Sequence, residues 1–501
     1  MSGEVGAQSN IHSSRIGMGD TVNSAQSADL SRDALNPKVT AMEYAVRGKI
    51  VLRAEEHVQA LKRGEARPFS EVVMCNIGNP QAVGQPPLTF VRQLIALVTC
   101  PWILQQPQLR SAFPVDVVAR AEKFLSQCSG TGAYSTSKGV PAVRSQVAEF
   151  LKQRDGYDSD IEHIFLTNGA SEGVKSILSL LVRHENDGIL IPVPQYPLYS
   201  ASLTLLGGAM IPYYLDEAHG WGLDVDVLAK NIQDARNQGI HPRMLAVINP
   251  GNPTGQVLSE ENMRAVVSLC EKEGLVLLAD EVYQENIYTE MRSFVSFKKV
   301  VCDMKSTVPL ASVHSTSKGV LGECGARGGY LEVMNVGDDM LEQLYKLASV
   351  NLCSNLVGQL VVSVLVDRPR PGDASYELFQ KEYSMIMGSL RRKALKLVSA
   401  LNQFEGVTCN DSEGAMYAFP QITLPSKAIE AAKERGLNGD VFYCMELLDS
   451  TGVCVVPGSG FRQQPGTYHL RTTFLPPEEK IDSVIEQMSA FHAEFMKKYS
   501  D

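Results

Sequence analysis

The chain has 501 residues, 44% of them hydrophobic and 20% charged, a length suited to two domains and a composition that excludes a disordered or fibrous protein. Forty-six basic residues against 56 acidic ones leave a formal charge of −10, which argues against a broad electrostatic footprint for nucleic acid or for an anionic membrane. No apolar run reaches the length of about 18 residues that a membrane-spanning helix needs, and the longest greasy stretches, such as 361–366, read as core.

Residues 1–31 are rich in Ser, Gly and Asn and poor in large apolar side chains, the composition of a disordered tail. Up to residue 30 this segment carries Arg15 against Glu4, Asp20 and Asp29, unlike an Arg-rich, acid-poor mitochondrial presequence. A cytoplasmic location is expected, with a mitochondrial one left open. From 40 to 61, Val46, Ile50, Val58 and Leu61 fall at helical spacing among Arg, Lys and Glu, predicting an amphipathic helix.

After residue 162 the texture changes. Short β-branched or aliphatic runs at 163–168, 188–193, 209–214, 244–249, 275–279, 310–314 and 329–334 are each closed by turn residues and predict seven strands. Helical patterns such as 171–183 and 259–273 separate several of them, so the fold class is α/β, with alternating βαβ units and a mostly parallel, buried sheet. Too few residues lie between 314 and 329 for a helical crossover, so the last strand is expected to run antiparallel. Beyond a long helical region at 338–366 and a Pro/Gly-rich turn at 368–372, helix patterns at 380–401, 438–451 and 477–498 alternate with strand-like 417–419, 453–456 and 469–473. This last stretch reads as a smaller α+β domain. The expected division is a tail at 1–31, an N-terminal arm and small-domain segment at 32–110, a large domain at 111–370 and a C-terminal small domain at 371–501.

Ten cysteines and nine histidines show no C-x-x-C or H-E-x-x-H spacing, so no metal site is expected; buried free thiols in a reducing compartment are the plainer reading. The strongest local signal is Asn249-Pro-Gly-Asn-Pro-Thr-Gly255 after the run at 244–249. A rigid turn alone accounts for such a string, but strand ends in an open α/β sheet are also where ligands bind. The next apolar run delivers Asp280-Glu-Val-Tyr283, a carboxylate at a buried strand end that calls for a cationic partner. The one after it delivers Ser315-Thr-Ser-Lys318-Gly319, followed by Arg327; alone, the Ser-Thr-Ser-Lys string reads as a solvated turn.

Taken together, these clusters suit pyridoxal 5′-phosphate. That cofactor needs a lysine to bond its aldehyde carbon, an acid to keep its ring nitrogen protonated, and donors for its ring oxygen and phosphate. Lys318, Asp280, Asn252 with Tyr283, and Ser315 and Ser317 with Arg327 supply those roles in that order. A further phosphate cradle is expected where Thr167-Asn168-Gly169 passes through Ala170-Ser171 into a helix, because free backbone N–H groups at a helix start favour a dianion. Ser171 as a plain N-cap is the alternative.

From about residue 35 to its end the chain resembles the fold-type I pyridoxal-phosphate aminotransferases. The resemblance rests on Leu35-Asn-Pro, Glu43-Tyr-Ala-Val-Arg-Gly48, Asn76-Ile-Gly-Asn-Pro-Gln81, Gly132-Ala-Tyr-Ser135, the Asn249 and Lys318 strings, Arg327-Gly-Gly-Tyr330 and Glu413-Gly-Ala-Met-Tyr417. Gly322-Glu-Cys-Gly325 and Val455-Val-Pro-Gly-Ser-Gly-Phe461 look like the alanine aminotransferase branch. The resemblance implies a mixed seven-stranded sheet flanked by helices in a large cofactor-binding domain. It also implies catalytic Lys318, Asp280 and Tyr283, a cofactor ring stacked on Tyr196, and a substrate α-carboxylate clamped by Arg471 with Gly78 and Asn252 beside it. Tyr134 should reach the phosphate of a neighbouring subunit, which implies a homodimer with shared active sites. The implied reaction is reversible amino transfer from L-alanine to 2-oxoglutarate, giving pyruvate and L-glutamate, with Lys318 moving the α-proton. A broad-specificity or aromatic aminotransferase, a carbon–sulfur lyase and a non-enzymatic cofactor-binding sensor are the alternatives. The chain departs from the family pattern at Ala326, at Val320-Leu321 and at Ser354-Asn355, which bears on substrate preference and loop geometry.

Overall fold

The apolar runs become strands of one sheet. A computed structural model describes residues 32–44 and 48–500; the expected tail at 1–31 lies outside them. A two-residue strand β1 (Val73–Met74) precedes β2 (Ile164–Thr167), β3 (Asp187–Val193), β4 (Ala209–Tyr214), β5 (His241–Ile248), β6 (Val276–Asp280), β7 (Leu310–Ser315) and β8 (Gly329–Met334). The last seven form a sheet in the order β2-β8-β7-β6-β5-β3-β4. All neighbours are parallel except the pairs made by β8, which runs antiparallel to both β7 and β2. The expected reversal is therefore observed, and one short 3-10 helix, Cys324–Ala326, is the regular structure between β7 and β8.

Burial explains the sequence texture. Every residue of β2, β3 and β7 is buried, because helices cover both faces of a parallel sheet. Along β5, Met244, Ala246 and Ile248 join one apolar cluster, while Leu245 and Val247 join the other, as the two-residue period of a strand requires. The edge strand β4 instead alternates over its last four residues, with Pro212 and Tyr214 exposed; an edge tolerates the missing N–H of Pro212. The helices Ala170–Leu181 and Glu260–Glu273 are the crossovers from β2 to β3 and from β5 to β6.

Two helix expectations need correction. The helix expected at 40–61 is described as Lys49–Lys62, capped at Gly48, and buries Ile50, Ala54, His57 and Ala60; Val46, part of that expectation, lies outside the described residues. Tyr44 is not helical, and its hydroxyl is paired at 2.8 Å with that of Tyr196. The region 338–366 is two helices, Asp338–Val350 and Leu356–Val366. Leu352 takes a positive φ of 64°, and the Asn355 side chain caps the second helix by accepting from the N–H groups of Val357 and Gly358. One departure from the family pattern, Asn355, is thus a helix cap. Val320 and Leu321 are buried in the core.

The C-terminal elements are short strands and long helices: β9 (Val407–Thr408), β10 (Tyr417–Ala418), β11 (Gln421–Ile422), β12 (Val453–Cys454), β13 (Val456–Pro457) and β14 (Leu470–Thr473). Strand β14 lies between β10 and β13, and β1 pairs in parallel with β12, tying the N-terminal segment to the C-terminal one. The helices Tyr376–Leu401 and Gly439–Thr451 both pack on Glu478–Lys498. Among the described residues no helix is long and apolar enough to cross a membrane.

Candidate active site

A cavity of about 480 Å³ lies at the carboxyl ends of the parallel strands, beside β3, where the chain turns from building one side of the sheet to building the other. Gly78, Ala170, Ser171, Tyr196, Asn252, Asp280, Tyr283, Ser315, Ser317, Lys318, Arg327 and Arg471 all line it. Tyr134 does not; it is 77% exposed. Among the described residues no group of three or more His, Cys, Asp or Glu is placed to hold a metal.

One end of the cavity gathers a helix N-terminus and a guanidinium. The helix Ala170–Leu181 begins at Gly169 with no side chain capping it, so its first N–H groups remain available. Ser171 is therefore not the N-cap, and the alternative raised for it falls. Arg327, at φ 54°, donates to the carbonyls of Asn168 at 2.9 Å and Cys324 at 3.0 Å. It contacts Ser317 Oγ at 3.4 Å, while Ser315 Oγ accepts from the Ser317 N–H at 3.0 Å. A cation held by carbonyls and hydroxyls keeps its charge available for an anion.

Gly169 sits at φ 77° and ψ 166°, a region essentially closed to other residues, and a Cβ there would strike the Arg327 guanidinium. Gly169→Ala is accordingly expected to cost about 1–3 kcal/mol of stability, read as a lower denaturation midpoint in urea.

In the middle of the cavity Lys318 Nζ donates to the Gly78 carbonyl at 2.6 Å and lies 5.7 Å from the Tyr283 ring centre. A side chain on Gly78 would strike the Tyr417 hydroxyl and stand 3.0 Å from Nζ, so glycine keeps that approach open. Lys318 acts on Asp280 only through its charge, and among the described residues no cation forms the expected ion pair with Asp280. Its Oδ2 accepts from the Tyr199 hydroxyl at 2.9 Å, and its Oδ1 faces the Val282 N–H at 3.4 Å. Burial dominates and raises the carboxyl to about 6, opposed by those two donors and the charge of Lys318.

At the opposite end Arg471 is almost fully buried. Its guanidinium lies 4.2 Å from the Tyr417 ring centre and 4.5 Å from that of Phe461. It donates to Asn252 Oδ1 at 3.1 Å and to the Asn76 carbonyl, while its Nε has no partner among the described residues. A buried cation without a carboxylate is costly to hold and is geometrically matched to a planar carboxylate. Tyr283 and Tyr417 share a hydrogen bond of 2.9 Å. Burial, then the neighbouring Tyr417, push the Tyr283 hydroxyl well up. Burial also acts upward on Tyr417, but Lys318 and Arg471 outweigh it and hold that phenol below its ordinary value.

Three residues of the site carried no assignment from the sequence. Tyr417 closes a quoted string and Tyr44 lies in another, so proximity to those strings was the available signal. Tyr199, the second residue of the helix Leu198–Leu206, had no local signal at all.

Residues 105–488 match the family model "Aminotransferase class I and II". The chain is 52% identical to alanine aminotransferase 1, mitochondrial, of Arabidopsis thaliana, over 95% of this chain and 89% of the relative. It is 50% identical to glutamate–glyoxylate aminotransferase 2 of the same plant, over 94% and 98%. Among solved structures it superposes on an aminotransferase from Escherichia coli with a TM-score of 0.73 and 23% identity, covering 92% of this chain and 98% of the other.

Proposed function

Because the chain belongs to the class I and II aminotransferases, we propose that it is an alanine aminotransferase, moving the amino group of L-alanine reversibly to 2-oxoglutarate to give pyruvate and L-glutamate. The observation that carries this reading is Arg471, a buried guanidinium lacking a carboxylate in the same cavity as the amine of Lys318. Such a pair suits an α-amino acid, whose carboxylate must be held while its α-proton is removed. Identity of 47–52% to curated alanine aminotransferases of plants and man supports the substrate.

The donor set fits pyridoxal 5′-phosphate. Asp280 is buried with one oxygen only weakly engaged and, among the described residues, no ion pair, as a partner for a cationic ring nitrogen should be, and the Gly169–Arg327 cradle suits a phosphate. When bound, the cofactor supplies an electron-withdrawing ring that stabilises negative charge at the substrate α-carbon. Arg327, Ser171, Ser315 and Ser317 would hold its phosphate, Asn252 and Tyr283 its ring oxygen, Tyr196 its ring face and Lys318 its aldehyde carbon.

The chain's own residues then divide the work. Arg471 orients the substrate through two parallel N–H donors on the α-carboxylate. Lys318 Nζ takes the α-proton as general base and returns it later in the cycle. The Gly78 carbonyl holds Nζ at 2.6 Å, fixing the side from which the lysine acts. The buried Tyr283–Tyr417 pair keeps bulk water from the reacting atoms. The exposed ring of Tyr134 supports a homodimer in which each subunit lends that residue to its partner's site.

The relationship to a glutamate–glyoxylate aminotransferase favours a second reading that differs in the acceptor. Rates with the holoenzyme separate the two. L-alanine with 2-oxoglutarate should exceed L-aspartate or aromatic donors by about tenfold or more in kcat/KM, a gap of roughly 1.4 kcal/mol. Glyoxylate outrunning pyruvate as acceptor from L-glutamate would favour the second reading, and product formed without any acceptor would overturn both.

A further inference from the structure

We propose that Tyr199 is a positioning residue that sets how strongly Asp280 competes with the cofactor's ring nitrogen for a proton. The inference rests on the reading of Asp280 given above. Tyr199 is wholly buried and reaches Asp280 from the helix Leu198–Leu206, which follows β3. Its hydroxyl donates to Oδ2 at 2.9 Å, the one side-chain hydrogen bond to Asp280 among the described residues. The other groups facing the carboxylate are Lys318, acting through its charge, and the Val282 N–H. Tyr199 itself faces Tyr196 and Tyr213.

A neutral donor has a different effect from a cation. An Arg or His⁺ in this place would hold Asp280 strongly ionised and make it a weak base. One phenol stabilises the carboxylate enough to keep it ionised beside a cationic ring, yet leaves it basic enough to hold the ring proton. Burial pushes the Tyr199 phenol well above its ordinary value, so it remains a donor at every working pH. Removing the donor raises the proton affinity of Asp280, and the shared proton then moves from the ring nitrogen to the carboxylate.

The test uses pyridoxal 5′-phosphate labelled with ¹⁵N in its ring and bound to the full-length protein. In the wild type the ¹⁵N resonance should lie at the protonated position. In Tyr199→Phe it should move toward the unprotonated position, with cofactor Kd raised about tenfold for one lost charge-assisted hydrogen bond and kcat lowered at unchanged KM for alanine. Replacing Tyr199 by 3-fluorotyrosine, a similar-sized and more acidic donor, should move the resonance the opposite way, and keeps the test available should the phenylalanine variant not fold. Resonances that stay put in both variants overturn the role of Tyr199. A wild-type resonance at the unprotonated position would instead overturn the reading of Asp280.

Discussion

Lys318→Ala is expected to fold and to lose amino transfer, with kcat between L-alanine and 2-oxoglutarate down by on the order of 10⁴-fold or more, since both the covalent anchor and the general base disappear. The fold should survive because among the described residues the Lys318 amine makes a single hydrogen bond, to the Gly78 carbonyl, and its neighbours Val320 and Leu321 hold the loop in the core. A clamp from another segment adds to that support: Gln85 donates to the Val320 carbonyl at 2.9 Å, and Glu285 accepts from the Val320 N–H at 3.0 Å. Initial rates beside an urea denaturation curve separate the two effects. Turnover within tenfold of wild type in a folded variant would remove Lys318 from the catalytic role.

Arg471→Lys should cost about 10²–10³ in kcat/KM, the 3–4 kcal/mol associated with breaking a buried, hydrogen-bonded charge pair. A lysine keeps the charge but cannot present two parallel donors, and it gives up the planar stacking between Tyr417 and Phe461. Because the interaction is with the α-carboxylate, the loss should fall on L-alanine and L-glutamate alike. It should be small for an amine that has no carboxylate, whose low rate depends on Lys318 alone. An equal loss for both kinds of substrate would mean that Arg471 supports the fold rather than the carboxylate.

Much of this arrangement was legible because burial on both faces forces continuous apolar runs. The strands β4 and β8 were bounded residue for residue, and the reversal of β8 followed from too short a connection after β7. The site was legible where strand ends are marked by runs of polar residues, as at Asn252, Asp280 and Lys318. What could not be read depends on distant chain segments. The two-residue bridge Val73↔Val453 leaves no periodicity, and the break at 351–355 rests on one positive φ and one asparagine cap. Tyr199 looks like any aromatic core residue until the fold brings Asp280 to it from 81 positions away. Tyr44 likewise lies in a helical pattern, yet its hydroxyl has a partner 152 residues on.

The place of β8 in the sheet has a consequence for the order of assembly. It lies between β2 and β7, so the first large-sheet strand to leave the ribosome has no neighbour until the last one arrives. The guanidinium of Arg327 and the carbonyl of Asn168 meet across 159 positions, a long loop to close before any contact compensates for it. Until then β2, with Ile164, Phe165 and Leu166 uncovered, is an open edge, the kind of surface that invites pairing with another nascent chain. The cradle proposed for a phosphate, where Arg327 meets the start of the helix Ala170–Leu181, is completed by that same closure, so a ligand bound there would report on correct assembly but could not template its early steps. Chains truncated before residue 329 should accordingly be recovered as aggregates, with or without the cofactor.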